Sequence, residues 1–433
     1  MNHVLRLHGT RIPSRLRIAR HVTPRGPVLW SLFIMRRFFT PRLGILALGH
    51  FTIDSYSSFF SPLLPLLVAK LHLSLTLVGT LVALASIASS FAQPLFGWLS
   101  DRVHRPWFVA FGPLCAAVFL SGVGQAPSYG WLVALLMLGG LGVAAFHPQA
   151  ASLSAEVSPR RGMAMAFFVT GGTLGFSIGP LFAVGVVHAF GLARTWVAAL
   201  PGLVVSGLLM AWLSRVRPRA RHVGARPRWS DLKPFLHPLA LLYLATVCRS
   251  AVSYGFMTFL PLHLHALGYS VTAGGAIVTI YLMSGALGGF LGGWLADRWG
   301  GRAVVLRSFL GATPLYAAFL FLPGWVGLAC LALGSFVLQT SLPVNVVMGQ
   351  ELSPRHASTI SSLLMGAAWG LGALLIGPVG ALADARGLHV ALLSLASLML
   401  MGVTCALALP DVRGRVAAVE VGQPAPERPT TAS

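Results

Sequence analysis

One long apolar run follows another through this chain, and that pattern leaves very few folds open. Bounded by charges and turn residues, the runs cover 43–68, 75–99, 106–124, 129–155, 162–188, 193–213, 237–264, 271–295, 303–322, 325–350, 357–382 and 388–410. Each is near the roughly 20 residues a helix needs to cross a hydrocarbon core about 30 Å thick. Lipid offers no water to satisfy backbone N–H and C=O groups, so only helices and closed barrels span it. A barrel would alternate apolar and polar residues along each strand, whereas these runs are continuously apolar. With 56% hydrophobic and 9% charged residues over 433 positions, the composition excludes a water-soluble chain. The expected fold is all-α and polytopic, with twelve transmembrane helices and a lipid bilayer as the main partner.

Charge placement orients those spans. Of the 31 Lys and Arg, nearly all fall in the terminal segments and in alternate connections, after spans 2, 4, 6, 8 and 10. The opposite connections hold only Lys70, Arg194 and Arg386. Cytoplasmic loops collect Lys and Arg, so both termini are expected on the cytoplasmic side. The formal net charge of +21 is spread over short loops rather than gathered on one folded surface, which argues against nucleic acid as a partner. An Arg- and Pro-rich stretch at 214–236 reads as a linker between two six-span halves, 41–213 and 237–410. Residues 1–40 form a basic segment without the h-region of a signal peptide, and 411–433 read as a disordered cytoplasmic tail. Met35, followed by Arg36 and Arg37, is an alternative start. Four scattered cysteines, with no CxxC or Cys/His spacing, predict neither a disulfide nor a metal site.

Ionisable residues inside spans are costly, and each is a functional candidate. Asp54 lies inside the first span, and His50 stands one turn before it on the same helix face. Withdrawal from water disfavours a carboxylate, so protonation of such a group can track the side open to water; the alternative is a buried Asp bonded to nearby hydroxyls for packing. His50 and His147 could relay protons or bind an anion, or serve as neutral hydrogen-bond partners. Pro148 interrupts the helix ladder beside His147, with Gln149 next in sequence. Arg249, near Ser250, Ser253 and Tyr254, is the one cation deep in a span, and its planar fork suits a carboxylate or phosphonate. A structural ion pair and a snorkelling side chain are the competing readings. The expected substrate contacts are therefore Arg249, His147, Gln149 and Tyr254, and the expected proton-coupling pair is Asp54 with His50.

The halves repeat each other. Gly97-Trp98-Leu99-Ser100-Asp101-Arg102 matches Gly293-Trp294-Leu295-Ala296-Asp297-Arg298, and Glu156-Val157-Ser158-Pro159-Arg160 matches Glu351-Leu352-Ser353-Pro354-Arg355. Gly179-Pro180 matches Gly377-Pro378 in the same way. Asp101, Arg102, Glu156, Arg160, Asp297, Arg298, Glu351 and Arg355 lie at expected cytoplasmic helix ends, where ion pairs that form and break can gate access, or merely cap helices and fix topology. Gly175, Gly179 and Pro180 read as close helix packing with a bend, as do Gly285, Gly289 and Gly293.

These residues resemble the major facilitator superfamily, whose signature is Gly-x-x-x-Asp-Arg after the second and eighth spans. The first copy departs from the pattern at His104, where glycine is usual. A closer resemblance, carried by Gly49-His50-Phe51-Thr52-Ile53-Asp54, Phe146-His147-Pro148-Gln149, Gly171 to Pro180 and Gln350-Glu351-Leu352, is to its fosmidomycin-resistance branch. Ile53 and Gln149 replace the Asn and Glu common there. The resemblance implies a monomeric, proton-coupled bacterial plasma-membrane exporter of fosmidomycin-like molecules, with the span-5 Gly-Pro motif favouring antiport. An importer or facilitator of a small organic anion would share nearly every feature. No Walker motif, nucleophile elbow or metal-binding His/Glu motif occurs, so neither ATP, another cofactor nor an enzymatic role is expected.

Overall fold

The computed structural model describes residues 40–100, 102–103, 105–157, 161–215, 233–353, 360–361 and 363–410. The basic N-terminal segment, most of the linker, the tail, and Asp101, His104, Arg160 and Arg355 lie outside them. Among the described residues, 11 helices are long and apolar enough to cross a membrane.

Span 1 is a broken helix. Thr40 caps its start by accepting from the Leu43 N–H, and the helix runs Pro41–Ser57 before the chain tightens at Ser61–Leu63 and resumes as Leu64–Leu71. Pro62 and Pro65 supply no N–H to the ladder, and the hydroxyls of Thr52, Ser55 and Ser57 bond carbonyls four residues back. Both effects loosen the helix just beyond Asp54. Spans 2 and 11 each carry a π turn, Ile87–Phe91 and Leu363–Ala367, and these two turns meet. The other spans follow the hydropathy closely: Tyr129–Glu156, Arg161–Phe190, Leu236–Ala266 and Val271–Trp299 are continuous helices.

The helices form two six-span halves of like construction. Span 1 packs on span 5 and span 3 on span 4; span 7 packs on spans 11 and 12 and span 9 on span 10. Two pairs form the main seams between the halves, span 2 with span 11 and span 5 with span 8, and span 1 also touches spans 7 and 8. Large apolar side chains such as Phe290 and Trp325 point outward, 85% and 79% exposed, as a lipid-facing surface requires.

Small residues set how closely the helices approach. A methyl group on Gly171 would press on the Ala47 carbonyl, on Gly175 it would overlap the Phe51 carbonyl, and on Gly179 it would overlap Ser58 and the Ser55 carbonyl. This row of every fourth residue seats span 5 directly on span 1. The corresponding row in span 8 is not the expected Gly285, Gly289 and Gly293. Gly285, Gly288 and Gly292 meet Ser335, Phe336 and Thr340 of span 10, whereas Gly293 faces open space. Spacing by three and then four residues follows a different ridge of the helix, so the second contact uses a different face.

Candidate functional site

His50, Asp54 and His147 come together at mid-depth. His50 Nε2 lies 3.3 Å from one Asp54 carboxyl oxygen, and His147 Nε2 lies 3.3 Å from the other. Spans 1, 4 and 5 build the arrangement. His50 Nδ1 stands 2.8 Å from the Phe168 carbonyl oxygen, and the ring stacks on Phe168 with centroids 4.1 Å apart. Gly172 makes room for that ring, since a side chain there would occupy the imidazole. His147 Nδ1 stands 2.8 Å from the Val143 carbonyl oxygen, within its own helix.

These contacts fix where protons sit. A carbonyl only accepts, so Nδ1 of each histidine carries the hydrogen and donates it. Each Nε2 of a neutral ring then presents a lone pair to a carboxyl oxygen. Such a contact is repulsive unless a proton lies between the two atoms, on the imidazole or on the carboxyl. The triad thus offers two bridging positions for protons, with Asp54 shared between them. The three ligand atoms lie within 4.8 Å of one another, close enough that a divalent cation is the rival occupant of the same space.

Gln149 is buried with its Oε1 unpartnered, two residues beyond His147. On the other half, Arg249 is 2% exposed and donates from one terminal nitrogen to Gln339 Oε1 at 3.0 Å and from the other to Ser250 Oγ at 3.4 Å. Its guanidinium carbon lies 5.3 Å from the centre of the Trp369 ring. Tyr254 packs edge-on against Trp369 at 6.4 Å. Tyr254 lies within electrostatic reach of Arg249 on its own half and of Asp54 on the other.

The motif arginines at the helix ends fold back in matching ways. The Arg102 guanidinium lies 3.6 Å over the Trp98 ring and the Arg298 guanidinium 4.0 Å over Trp294, each four residues back. Glu156 and Asp297 make polar contacts at the same face, and Glu351 is exposed near the end of Ser341–Leu352. Asp101, Arg160 and Arg355 lie outside the described residues.

Sequence reasoning passed over Asp384. From the end of span 11 its carboxylate accepts from the Leu75 N–H at 2.8 Å and the Thr76 N–H at 2.7 Å, and also from the Thr76 hydroxyl, so it caps span 2 across the halves. A carboxylate near a helix C-terminus opposes the helix dipole, which is the signal that it serves another helix's N-terminus. Close to it, Gly79 abuts the Ile376 carbonyl and Gly380 the Leu75 carbonyl, and on the second seam the Leu181 N–H donates to Thr279. All these closures lie on the face away from Pro41 and Pro410. Toward the other face, Gln93–Ser100 of span 2 contains no buried residue.

Replacing Asp384 with Ala removes these bonds, and N-terminal caps are worth about 0.5–2 kcal/mol. The equilibrium between closed and parted seams is expected to shift by about 2- to 30-fold toward the parted form. Electron-spin distance measurements between labels at the ends of spans 2 and 11 would register a longer population; an unchanged distribution would remove Asp384 from the closure.

A family model described as Major Facilitator Superfamily matches residues 46–377. The chain is 29% identical to the uncharacterized MFS-type transporter YfnC of Bacillus subtilis, over 87% of this chain and 94% of that one. It is 28% identical to the fosmidomycin resistance protein of Escherichia coli, over 86% and 93%. Among solved structures, an inward-facing, occupied bacterial homologue of the human lysosomal transporter Spinster superposes with a TM-score of 0.69 at 18% identity, covering 86% of this chain and 97% of that one. That likeness speaks to the fold.

Proposed function

We propose that this chain, which belongs to the Major Facilitator Superfamily and is a multi-pass transporter of small molecules, is a proton-coupled antiporter that exports small organic molecules by alternating access. The observation that carries this reading is the His50–Asp54–His147 triad. Its two Nε2-to-carboxyl contacts of 3.3 Å each require a proton, and it lies on one half of a fold that rocks about its centre. Protons that enter from one side occupy the triad; substrate bound between the halves releases them on the other. Both chain ends are assigned to the cytoplasmic face of a bacterial plasma membrane, in line with the Lys and Arg of the alternate loops. On that assignment the closed seams at Asp384 and Thr279 are periplasmic, and the chain is inward-facing.

Gating belongs to the opposite, cytoplasmic face, where Arg102 and Arg298 lean on Trp98 and Trp294 and would exchange these contacts for acidic partners as the halves rock. Similarity to the fosmidomycin resistance protein supports export over uptake and suggests phosphonate-bearing molecules as cargo.

The test is proton movement in everted vesicles carrying the full-length protein, with a compound panel that runs from fosmidomycin to lipophilic cations. Antiport predicts that an exported compound draws protons out of an acidified lumen, with and without a metal chelator. Uptake of protons together with a compound would establish symport and reverse the assignment. Loss of the signal in chelator would give the triad to a metal ion.

A further inference from the structure

We infer that Arg249, with Gln339, Ser250 and Trp369, is a seat for the oxyanion head of a small organic anion, a carboxylate or phosphonate carried on an apolar or aromatic body. The inference rests on the transport reading above and names its substrate class.

The first observation is an uncompensated charge. Arg249 is 2% exposed in the middle of Leu236–Ala266, so it does not snorkel to an interface. Among the described residues no carboxylate lies within ion-pair distance of it, and the electrostatic partners that reach it are the neutral phenols of Tyr254 and Tyr281. Asp54, the acid within a span of the opposing half, has each carboxyl oxygen facing a histidine. A structural ion pair is therefore not what holds Arg249 in place. A guanidinium kept from water without a counter-charge is unfavourable by several kcal/mol, so a negatively charged ligand has a large differential affinity for this position.

The second observation is unused hydrogen-bonding capacity. A guanidinium has five N–H donors in a planar fork. Here Gln339 and Ser250 take one terminal nitrogen each, and the Nε–H is buried with no partner at all. An orphaned buried donor on a charged group is rare in folded proteins. Two oxygens of a carboxylate or phosphonate match an Nε–H and a terminal N–H side by side, which a neutral or cationic ligand cannot do.

The surroundings supply the rest of the recognition. Gln339 is oriented by its own bond to Ser253 Oγ at 3.5 Å, which turns its oxygen to the arginine. Trp369 lies over the guanidinium, and Tyr254 stands edge-on to Trp369 toward the other half. These two rings are partly exposed, as are Gln339 and Ser253, so the approach to the seat is aromatic on one side and hydrogen-bonding on the other. A ligand with an anionic head and a flat or apolar body satisfies both.

The experiment is equilibrium binding to the full-length protein in nanodiscs without any proton gradient, by calorimetry, with benzoate and phenylphosphonate as anions and benzyl alcohol and benzylamine as neutral and cationic counterparts. At least one anion is expected to bind ten-fold or more tightly than both counterparts. Gln339→Glu places a carboxylate where Arg249 now meets an amide, and is expected to lower anion affinity at least ten-fold while holding or raising Tm. Arg249→Lys is expected to lose about ten-fold by exchanging a fork for a point charge. Anion binding unchanged in Gln339→Glu, benzylamine binding as tightly as the anions, or no anion binding to the wild type would each overturn the seat. Because no gradient is present, a failure of proton coupling leaves these outcomes unaffected, and a failure here leaves proton coupling standing.

Discussion

Substrate-driven proton movement is expected to disappear in Asp54→Asn, falling on the order of 100-fold, the scale on which a positioned proton carrier acts. Asparagine keeps the shape of the side chain. Its amide can donate to one histidine Nε2, and its carbonyl can accept from the other when that ring carries a second proton, so His50 and His147 keep their Nδ1 bonds to Phe168 and Val143. What is lost is the shared acid between the two contacts of 3.3 Å. A carboxylate at the centre of a spanning helix costs about 2.5–3.5 kcal/mol on an insertion scale, so the variant is expected to be at least as stable as the wild type. The measurement is paired: proton flux in everted vesicles beside Tm and gradient-free substrate exchange. Exchange that persists while flux vanishes would assign Asp54 to coupling. Flux that persists in a well-inserted variant would assign Asp54 to packing, and loss of flux, exchange and stability together would make it structural.

Gly175→Val is expected to prevent accumulation of folded protein. A Cβ at residue 175 would overlap the Phe51 carbonyl, which belongs to the backbone of span 1 and cannot swing aside. Overpacking costs typically about 1–3 kcal/mol, and collision with backbone sits at or beyond the upper end. Spans 1 and 5 would have to part, and the His50–Phe168 bond of 2.8 Å bridges that same seam. The damage therefore reaches the triad from a position that touches none of its members. Gly185, in the same helix, has nothing within 4 Å of where a Cβ would stand. Gly185→Val is the matched control and should retain wild-type Tm and elution on size-exclusion chromatography. Equal behaviour of the two variants would refute the seam as the source of stability.

Much of the architecture was legible in the order of residues because hydropathy is a local property. A run such as 271–295 becomes the helix Val271–Trp299 for the same reason wherever it sits, since its backbone has no partner in lipid other than itself. The repeated Gly-Trp-Leu segments were equally readable, and both end with an arginine folded onto its own tryptophan. His50 and Asp54 share a face through four-residue spacing, which needs only helix geometry. His147 was singled out for its own chemistry, but nothing in the chain states that it meets Asp54 across two helices.

The sequence by itself determined the class of fold, the spans and the residues with chemistry to offer, because period and hydrophobicity act within each helix. Tertiary structure decided the partners, because these depend on how far each helix is rotated and how closely it approaches its neighbour. It chose Gly288 and Gly292 over Gly289 and Gly293 as the contact row of span 8, and gave Asp54 a second histidine. It set Asp384 on the N-terminus of span 2. It also left the Arg249 Nε–H without a partner, which makes that charge a place for a ligand, since a buried cation unmatched by the fold is matched from outside it.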